Sequence, residues 1–377
     1  MNKFIKYSPI ILSLLFLNAC QTNSEKDKEE NHDKKMVESI SLKNDDSVKE
    51  RSSSDDSIKL RIENKEISKN KVKKDERYIE NLSLIDSIYI PDPLAKYKFS
   101  GDKFYALNRF KQTIVSLDEN FNVVKELGGK GDAPELNKLI IDYFPLNDNS
   151  VLIIDPDKND IKIQDFNNQL TVYRKFDFTI DKAAPINDKK IIIAHSKDES
   201  TDSRMNFSIW DIEKDSIFSL KNLSEYVNYP FSNLIADGQF IVDDSKRSIL
   251  YFQYFHDHML EINNDNQISK IDFIRQVKVP KGVDEGGWKF LDDSTPRQIS
   301  AYLSNNIAFV ISNIPEKQDR GKRVLDLYNI EKLRYLKSFI LPKLNSTSPK
   351  DIVFHDNRYY LSYEDKIYIL KEDKSTL

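Results

Sequence analysis

Two histidines flank an aspartate in the second half of the chain, as His256-Asp257-His258. Successive side chains of a β-strand point to opposite faces, so the two imidazoles would share one face. Two imidazoles on one face make half of a zinc-type metal site, but the sequence names no third ligand. The alternative interpretation is a polar turn. The sequence therefore predicts no metal here.

Residues 155–160, Asp-Pro-Asp-Lys-Asn-Asp, are rich enough in oxygen atoms for calcium. They lack the glycine and the terminal glutamate of an EF-hand loop, and a plain hairpin turn explains them without an ion. No G-x-S-x-G or H-E-x-x-H pattern occurs, and a single cysteine cannot build a multi-thiolate zinc site. The sequence predicts no cofactor, and calcium is the one ion for which ligands can be suggested.

Residues 281–290 combine a glycine pair, two acids and one of the two tryptophans. Trp288 beside Asp284 and Glu285 could stack on a sugar ring or anchor a partner protein. The alternative is that Trp288 packs as a plug against a neighbouring sheet. Trp288, Asp284 and Glu285 are the candidate binding residues that the sequence offers.

A scaffold of short strands must position these residues. From Leu82 onward the chain alternates runs of Ile, Val, Tyr and Phe with polar turns, and no helical period lasts over twelve residues. An Asp/Asn turn followed by an apolar strand recurs near residues 102, 148, 188, 244, 305 and 356. A period of about 51 residues made only of strands indicates a β-propeller with four-stranded blades.

The sixth repeat is too short, because only seven residues follow its last strand at residues 367–370. Residues 83–90 form an unassigned strand ahead of the first repeat. An open ring would leave two exposed sheet edges, so we expect the early strand to pair with the last blade. The predicted fold class is all-β: a six-bladed β-propeller closed by an N-terminal strand that completes the last blade. Two stacked β-sandwiches, the alternative, leave the missing strand unexplained.

The long connections of this ring should gather on one side. In a meander, the links from second to third strand share a face with the blade-to-blade crossings. Long loops on one rim of a rigid scaffold are the usual binding surface, although loop length can also drift on a surface without a role. We call this side the long-loop face; its long connections are residues 195–206, 221–233, 277–297, 313–323 and 342–350.

The N-terminus resembles that of bacterial lipoproteins. Two lysines precede an apolar stretch of about ten residues, too short to span a bilayer. The stretch ends in Leu-Asn-Ala-Cys at residues 17–20, which is similar to a lipobox. The resemblance implies cleavage before Cys20 and lipidation of its thiol, and two or three acyl chains would anchor the protein stably. The alternative is an ordinary signal peptide.

A charged segment follows Cys20. Residues 21–77 contain no aromatic residue, glycine or proline, and more than half of them are charged. Such a segment buries too little apolar surface to offset chain entropy, so disorder is expected, with a charged helical stalk as the alternative. The predicted domains are a signal peptide over 1–19, a lipid-anchored linker over 20–77 and the propeller over 78–377.

The junction between the first two repeats carries a family resemblance. Residues 127–136, LGGKGDAPEL, are similar to the glycine-rich blade junction of six-bladed propeller lipoproteins of Bacteroidetes, which are related to NHL-type and TolB-like propellers. Gly128, Gly131, Pro134 and Glu135 match in kind, while Ala133 replaces a glycine. The resemblance implies a six-bladed fold and a lipid-anchored outer-membrane location, periplasmic or surface-exposed, in a family mostly of undefined activity.

Composition narrows the function. The chain has 57 Lys and Arg against 61 Asp and Glu, a net charge of −4, and so lacks the basic excess of a nucleic-acid binder. The predicted function is a non-catalytic binding or interaction module for a glycan, peptide or protein partner. The alternative is a carbohydrate-active hydrolase or lyase with acidic residues or calcium at the propeller axis. Carboxylates converging on the axis would favour the enzyme, and a neutral lining would favour binding.

Overall fold

The computed structural model describes residues 76–90, 93–196, 204–228, 230–243, 248–263, 265–286, 288–316, 319, 321–344 and 346–373. This part of the chain is an all-β, six-bladed propeller. Cys20, the signal peptide and the linker up to residue 75 lie outside the described residues. No helix within the described ranges is long and apolar enough to cross a membrane.

Two strands precede the first blade: β1 (Ile79–Glu80) and β2 (Leu82–Tyr89). Blades 1, 2 and 3 then follow in chain order, each as a four-stranded antiparallel meander. Their strands are β3 (Leu94–Ser100), β4 (Lys103–Asn108), β5 (Thr113–Leu117), β6 (Val123–Gly128), β7 (Asp142–Pro145), β8 (Ser150–Asp155), β9 (Asp160–Asp165), β10 (Leu170–Lys175), β11 (Thr179–Asn187), β12 (Lys190–Ser196), β13 (Met205–Asp211) and β14 (Ser216–Ser219).

Two short helices, α1 (Lys221–Tyr226) and α2 (Ser232–Ile235), connect blade 3 to blade 4. A separate hairpin lies between blades 4 and 5. The strands of this half are β15 (Gly238–Val242), β16 (Ser248–Gln253), β17 (His258–Asn263), β18 (Ile268–Asp272), the hairpin strands β19 (Gly282–Glu285) and β20 (Trp288–Leu291), β21 (Gln298–Ser304), β22 (Ile307–Ser312), β23 (Val324–Asn329), β24 (Arg334–Ile340), β25 (Asp351–His355), β26 (Arg358–Ser362) and β27 (Lys366–Glu372).

The first strands of the six blades form the inner wall. β3, β7, β11, β15, β21 and β25 each contact the first strands of both neighbouring blades, so the ring is closed. The middle strands are buried on both faces, as in the continuous apolar runs of β8 and β12, because each blade packs against two neighbours. Outer strands such as β10 alternate between exposed and half-buried residues.

The predicted closure of the ring is confirmed. β2 pairs antiparallel with β27, from Leu82 opposite Glu372 to Tyr89 opposite Lys366, and so supplies the fourth strand of blade 6. β1 was not predicted: it pairs in parallel with β24 and adds a fifth strand to blade 5. The N-terminal segment therefore joins the last two blades.

Arg77, just before β1, is fixed inside blade 5. Its side chain is fully buried and donates hydrogen bonds to Asp326 (2.8 Å), Glu316 (3.0 Å) and the carbonyl of Ile314 (2.7 Å). Burial lowers the pKa of Arg77, but the carboxylates of Asp326 and Glu316 outweigh it and leave the pKa raised. The packed part of the propeller thus includes the last residue that the sequence assigns to the linker.

Candidate functional site

A cavity of about 110 Å³ lies on the propeller axis, lined by residues of all six inner strands. Each inner strand begins on the long-loop face, because the blade-to-blade crossings lead into it. The charged or polar residues of the lining include Lys96, Lys98, Ser100, Asp142, Gln239, Asp243, Ser300 and Asp351. The other lining residues include apolar ones: Phe144, Leu146, Pro185, Ile241, Val242 and Tyr302.

Asp142 is the centre of a charged cluster in this cavity. Its carboxylate lies 3.0 Å from Lys98 Nζ and 3.8 Å from Lys96 Nζ. Burial would raise the pKa of Asp142, but the two lysines outweigh it and hold the pKa below its usual range. Burial lowers the pKa of Lys98, and Asp142 opposes that shift only in part. The ammonium of Lys98 also lies 3.4 Å from the centre of the Phe144 ring.

Two further aspartates face the same region. Asp351 accepts hydrogen bonds from Ser300 Oγ (2.6 Å) and from the backbone N–H of Tyr97 (3.0 Å), and its burial raises its pKa. Asp237, directly before β15, pairs with Lys182 at 3.3 Å. Burial raises the pKa of Tyr254, and Asp237, Asp142 and Asp351 each raise it further, so the three carboxylates converge on one region.

The lining is therefore neither neutral nor purely acidic. Asp142 and Asp237 are ion-paired with lysines, and Asp351 is held by hydrogen-bond donors. Such an arrangement can bind a small polar or charged group of a ligand. Among the described residues, Asp142, Asp237 and Asp351 each have a partner, whereas glycoside cleavage uses a pair of carboxyl groups for acid and base work.

Lys98→Met tests the charged cluster. The change leaves Asp142 buried with only the more distant Lys96, and we expect a loss of about 2 kcal/mol in the free energy of unfolding at pH 7. In the parent protein the lowered pKa of Asp142 adds stability that is lost as the pH falls. In the variant that pKa rises, so the difference between the two proteins should shrink toward pH 4. Urea unfolding at both pH values measures this.

Lys103→Met is the matched control. Lys103 pairs with Asp148 at 3.4 Å, and both side chains are exposed. Exposed pairs contribute about 0–1 kcal/mol, so this variant should unfold nearly as the parent does at either pH. Equal losses for Lys98→Met and Lys103→Met would show that the axial cluster is not a buried ion pair.

The hairpin of β19 and β20 stands on the crossing from blade 4 to blade 5, on the long-loop face. One side of it packs on Phe231, the residue directly before α2, which has a backbone φ of +62°. Gly282 lies against this ring: a Cβ built on it would come within 2.3 Å of the Phe231 side chain. Lys289 Nζ lies 5.9 Å from the ring centre. The glycine therefore permits the hairpin to dock on α2.

The other side of the hairpin carries aromatic residues. Trp288 pairs across the hairpin with Glu285, and Phe290 pairs with Val283, so these four side chains share one face. Trp288 is 79% exposed and Phe290 is 38% exposed. Trp288 is not a plug against a neighbouring blade, the alternative that the sequence left open. It stands in solvent on the long-loop face.

The structure separates the two candidate acids of this loop. Glu285 lies opposite Trp288, on the aromatic face, whereas Asp284 pairs with Lys289 on the face that packs toward α2. Trp288 and Glu285 can thus contact one ligand together, while Asp284 belongs to the docked side. Phe290, the second exposed aromatic residue, was missed by the sequence analysis, although its place two residues after Trp288 would have put it on the same face of a strand.

The aspartates of the segment 155–160 contact a lysine side chain and backbone N–H groups of the same chain. Asp155 accepts hydrogen bonds from the backbone N–H of Lys138 (2.6 Å) and of Leu139 (3.2 Å). Asp160 lies 3.6 Å from Lys158 Nζ. Lys158 Nζ in turn donates to the Ala133 carbonyl (2.8 Å) in the blade junction. These contacts fix the junction between blades 1 and 2.

The blade junction is held by a second lysine as well. Lys162, fully buried, donates to the carbonyls of Pro134 (2.9 Å) and Leu136 (2.6 Å), and burial lowers its pKa to about 8. Gly128 has a φ of +85°, and a Cβ on it would come within 2.6 Å of Asn137 Nδ2. The glycine-rich motif is thus a packing device between two blades.

His256, Asp257 and His258 lie at the connection between β16 and β17, which is also on the long-loop face. Their side chains are close together, and among the described residues they form the one group of at least three His, Cys, Asp or Glu with ligand atoms close enough to hold a metal ion. Asp257, which the sequence did not name as a ligand, is the third member of this group.

No family model matches the chain, and no curated protein matches it. Among solved structures, the chain is similar to a member of the DUF4221 family from Bacteroides vulgatus, with a TM-score of 0.53, 12% identity, and coverage of 79% of this chain and 99% of that one. The likeness establishes the fold. It confirms the predicted resemblance to six-bladed propellers of Bacteroides.

Other solved structures resemble the chain less, with TM-scores below 0.5. A candidate exported protein from Bacteroides fragilis has a TM-score of 0.46 at 10% identity, covering 79% of this chain and 94% of that one. A virginiamycin B lyase from Staphylococcus aureus has a TM-score of 0.44 at 10% identity, covering 78% of this chain and 100% of that one. At this distance neither structure informs the chemistry of this chain.

Proposed function

We propose that this protein is a non-catalytic binding module that engages a partner protein through its long-loop face, with the hairpin of β19 and β20 as the anchor. The observation that carries the proposal is the exposure of Trp288 and Phe290 on one side of a hairpin whose other side is docked on Phe231. The partner covers the aromatic side.

The energetics favour an anchoring role. A two-stranded hairpin is marginally stable in water. This hairpin nevertheless leaves a tryptophan and a phenylalanine exposed to solvent in the free protein, where they do not add the stability that full burial would give. Tryptophan is enriched among the residues whose truncation costs a complex about 2 kcal/mol or more. Phe231, which supports the docked side of the hairpin, has a left-handed backbone conformation that is uncommon for a bulky residue.

A protein fits this surface better than a glycan. Next to Trp288 lie Phe290 and Val283, which match an apolar protein surface, and Glu285 alone adds a hydrogen-bond acceptor at the exposed end. A sugar ring needs several polar groups beside the stacking aromatic residue to fix its hydroxyls. The unpaired strand edges of the hairpin can also accept an added strand of the partner.

The charged axial cavity supports binding as well. Its volume of about 110 Å³ suits a single side chain or chain end of the partner. The alternative function, an axial hydrolase or lyase, is disfavoured because Asp142 and Asp351 of the cavity lining are engaged by Lys98 and Ser300. A lipid on Cys20 and a long charged linker would hold the module at the outer membrane.

Photo-cross-linking tests this proposal. We would place benzoylphenylalanine at position 288 of the full chain, in the cells that make this protein, and identify the cross-linked species by mass spectrometry. The matched control is position 124 on β6, where Val124 is 62% exposed on an outer strand. We expect one discrete protein adduct from position 288, none from position 124, and at least about a tenfold lower yield when Phe290→Ala is added.

Two results would overturn the proposal. One is the same adduct pattern from positions 288 and 124, which would mean that the hairpin contacts nothing specific. The other is a discrete adduct that contains polysaccharide and no protein, which would transfer the site to a glycan ligand.

A further inference from the structure

We propose that His256, Asp257 and His258 bind one zinc ion on the long-loop face. One ligand atom from each residue lies within 4.8 Å of the other two. The site is independent of the hairpin and of the partner proposed above. It would add a metal to a protein whose sequence predicts none.

The three side chains are already grouped. The centres of the two imidazole rings are 5.0 Å apart, with their planes at 70°. The Nδ1 atom of His258 lies 2.9 Å from Asp257 Oδ1. A tetrahedral zinc site needs bonds of about 2.0–2.2 Å to nitrogen and oxygen, so side-chain rotations must bring the three donors closer together to share one ion.

The backbone holds this group in place. Phe273 N–H donates to the Asp257 carbonyl at 2.8 Å, and His258 pairs with Asp272 at the start of the β17–β18 ladder. The end of the connection that leads into β17 is therefore fixed before any ion binds. A fixed site loses little entropy when the metal arrives, because its ligands need not be ordered at that moment.

The donor set selects the metal. Two imidazole nitrogens and one carboxylate oxygen suit zinc and neighbouring transition metals, whereas calcium and magnesium take oxygen ligands.

The fourth position is the functional part of the proposal. Asp272 lies directly opposite His258, but its carboxylate pairs with Lys270 at 2.9 Å. Three protein ligands leave one tetrahedral position for a water molecule or for a donor atom of a bound molecule. Asp257 and His258 are each only half-buried, so this position can be reached from the face on which the hairpin stands.

Calorimetric titration with zinc chloride tests the site. The protein is the chain without its lipid, residues 21–377, which contains no cysteine. We expect one zinc per chain with a micromolar dissociation constant. Cobalt(II) in place of zinc should give the visible absorption of a tetrahedral site, and zinc should displace it.

Matched variants decide the assignment. His258→Gln, at a half-buried residue, should weaken zinc binding at least 100-fold, and Asp257→Asn should weaken it less. His355→Gln is the control. His355 belongs to blade 6 and stacks on Phe99 of blade 1, so this variant should bind zinc as the parent does. Melting curves without metal verify that each variant is folded.

The proposal fails if the parent does not bind zinc, or binds it only with a dissociation constant in the millimolar range or weaker. It also fails if folded His258→Gln binds zinc as tightly as the parent, which would place the ion elsewhere. His256 is buried, so His256→Gln serves only as a second variant, and its loss of binding counts in favour only if its melting temperature is that of the parent.

Discussion

Deleting residues 76–90 is expected to abolish the folded propeller. The deletion removes β2 and its seven residue pairs with β27, which leaves blade 6 with three strands. The exposed edge of β27 (Lys366–Glu372) then carries an apolar run, and such an edge pairs readily with other chains. We expect no cooperative urea transition and aggregated material in size-exclusion chromatography.

The matched control is deletion of residues 21–75. These residues precede Arg77, β1 and β2, and their composition predicts no packed structure, so the free energy of unfolding should change by less than about 0.5 kcal/mol. A chain without residues 76–90 that unfolds at the same urea concentration as this control would contradict closure by β2.

Arg77→Met is the point substitution with the largest expected effect. Arg77 supplies the one cation that contacts the fully buried Asp326 among the ion pairs of the described residues. Removing one partner of a buried pair costs about 3–5 kcal/mol, a large part of the stability of a typical domain. Urea unfolding at pH 7 should show this loss.

The pH dependence identifies the cause. Burial already raises the pKa of Asp326, and Arg77 opposes that shift. Without Arg77 the pKa rises further, so the folded variant holds a proton that the unfolded chain has released. The stability of the variant should therefore fall as the pH rises, and its deficit should be smaller at pH 5 than at pH 7.

A second variant separates charge from packing. Arg77→Met with Asp326→Leu replaces both charges by apolar groups, and such replacements are often neutral or stabilising. We expect the double variant to recover most of the loss. A double variant as unstable as Arg77→Met alone would mean that the guanidinium acts through its contacts with Ile314, Glu316 and Ser312 instead.

The ring could be predicted because its repeats and strands can be counted in the sequence. The strand turns recur with a mean period of about 51 residues, and one unassigned strand at residues 83–90 matches one missing strand at the end of the chain. β1 and Arg77 could not be predicted. A two-residue strand has no periodicity, and a buried arginine inside a highly charged segment looks like every other charge there until blade 5 is folded.

The two helices were missed for a similar reason. α1 has six residues and α2 has four, which is shorter than any window in which a helical period can be recognised. Phe231 and its left-handed backbone, which support the hairpin, were hidden with them. The hairpin itself was visible as a tryptophan beside glycines and acids, but its exposure depends on packing.

The axial cluster depends on residues that are far apart in sequence. Lys98, Asp142 and Asp351 meet because three blades bring their inner strands together around the axis, and no local pattern marks them. The histidine group agrees with the polar turn that the sequence offered for it. The strand β17 begins only at His258, so strand alternation does not apply to His256 and Asp257.

Amide hydrogen exchange of β2 tests most directly how this propeller is held together. If β2 closes the ring, the β2 amides that pair with β27 exchange as slowly as those of β27 itself, because both open only when the whole ring unfolds. Rapid exchange along Leu82–Tyr89, while β27 and β26 stay protected, would contradict it, since the ring would then stand without its N-terminal strand.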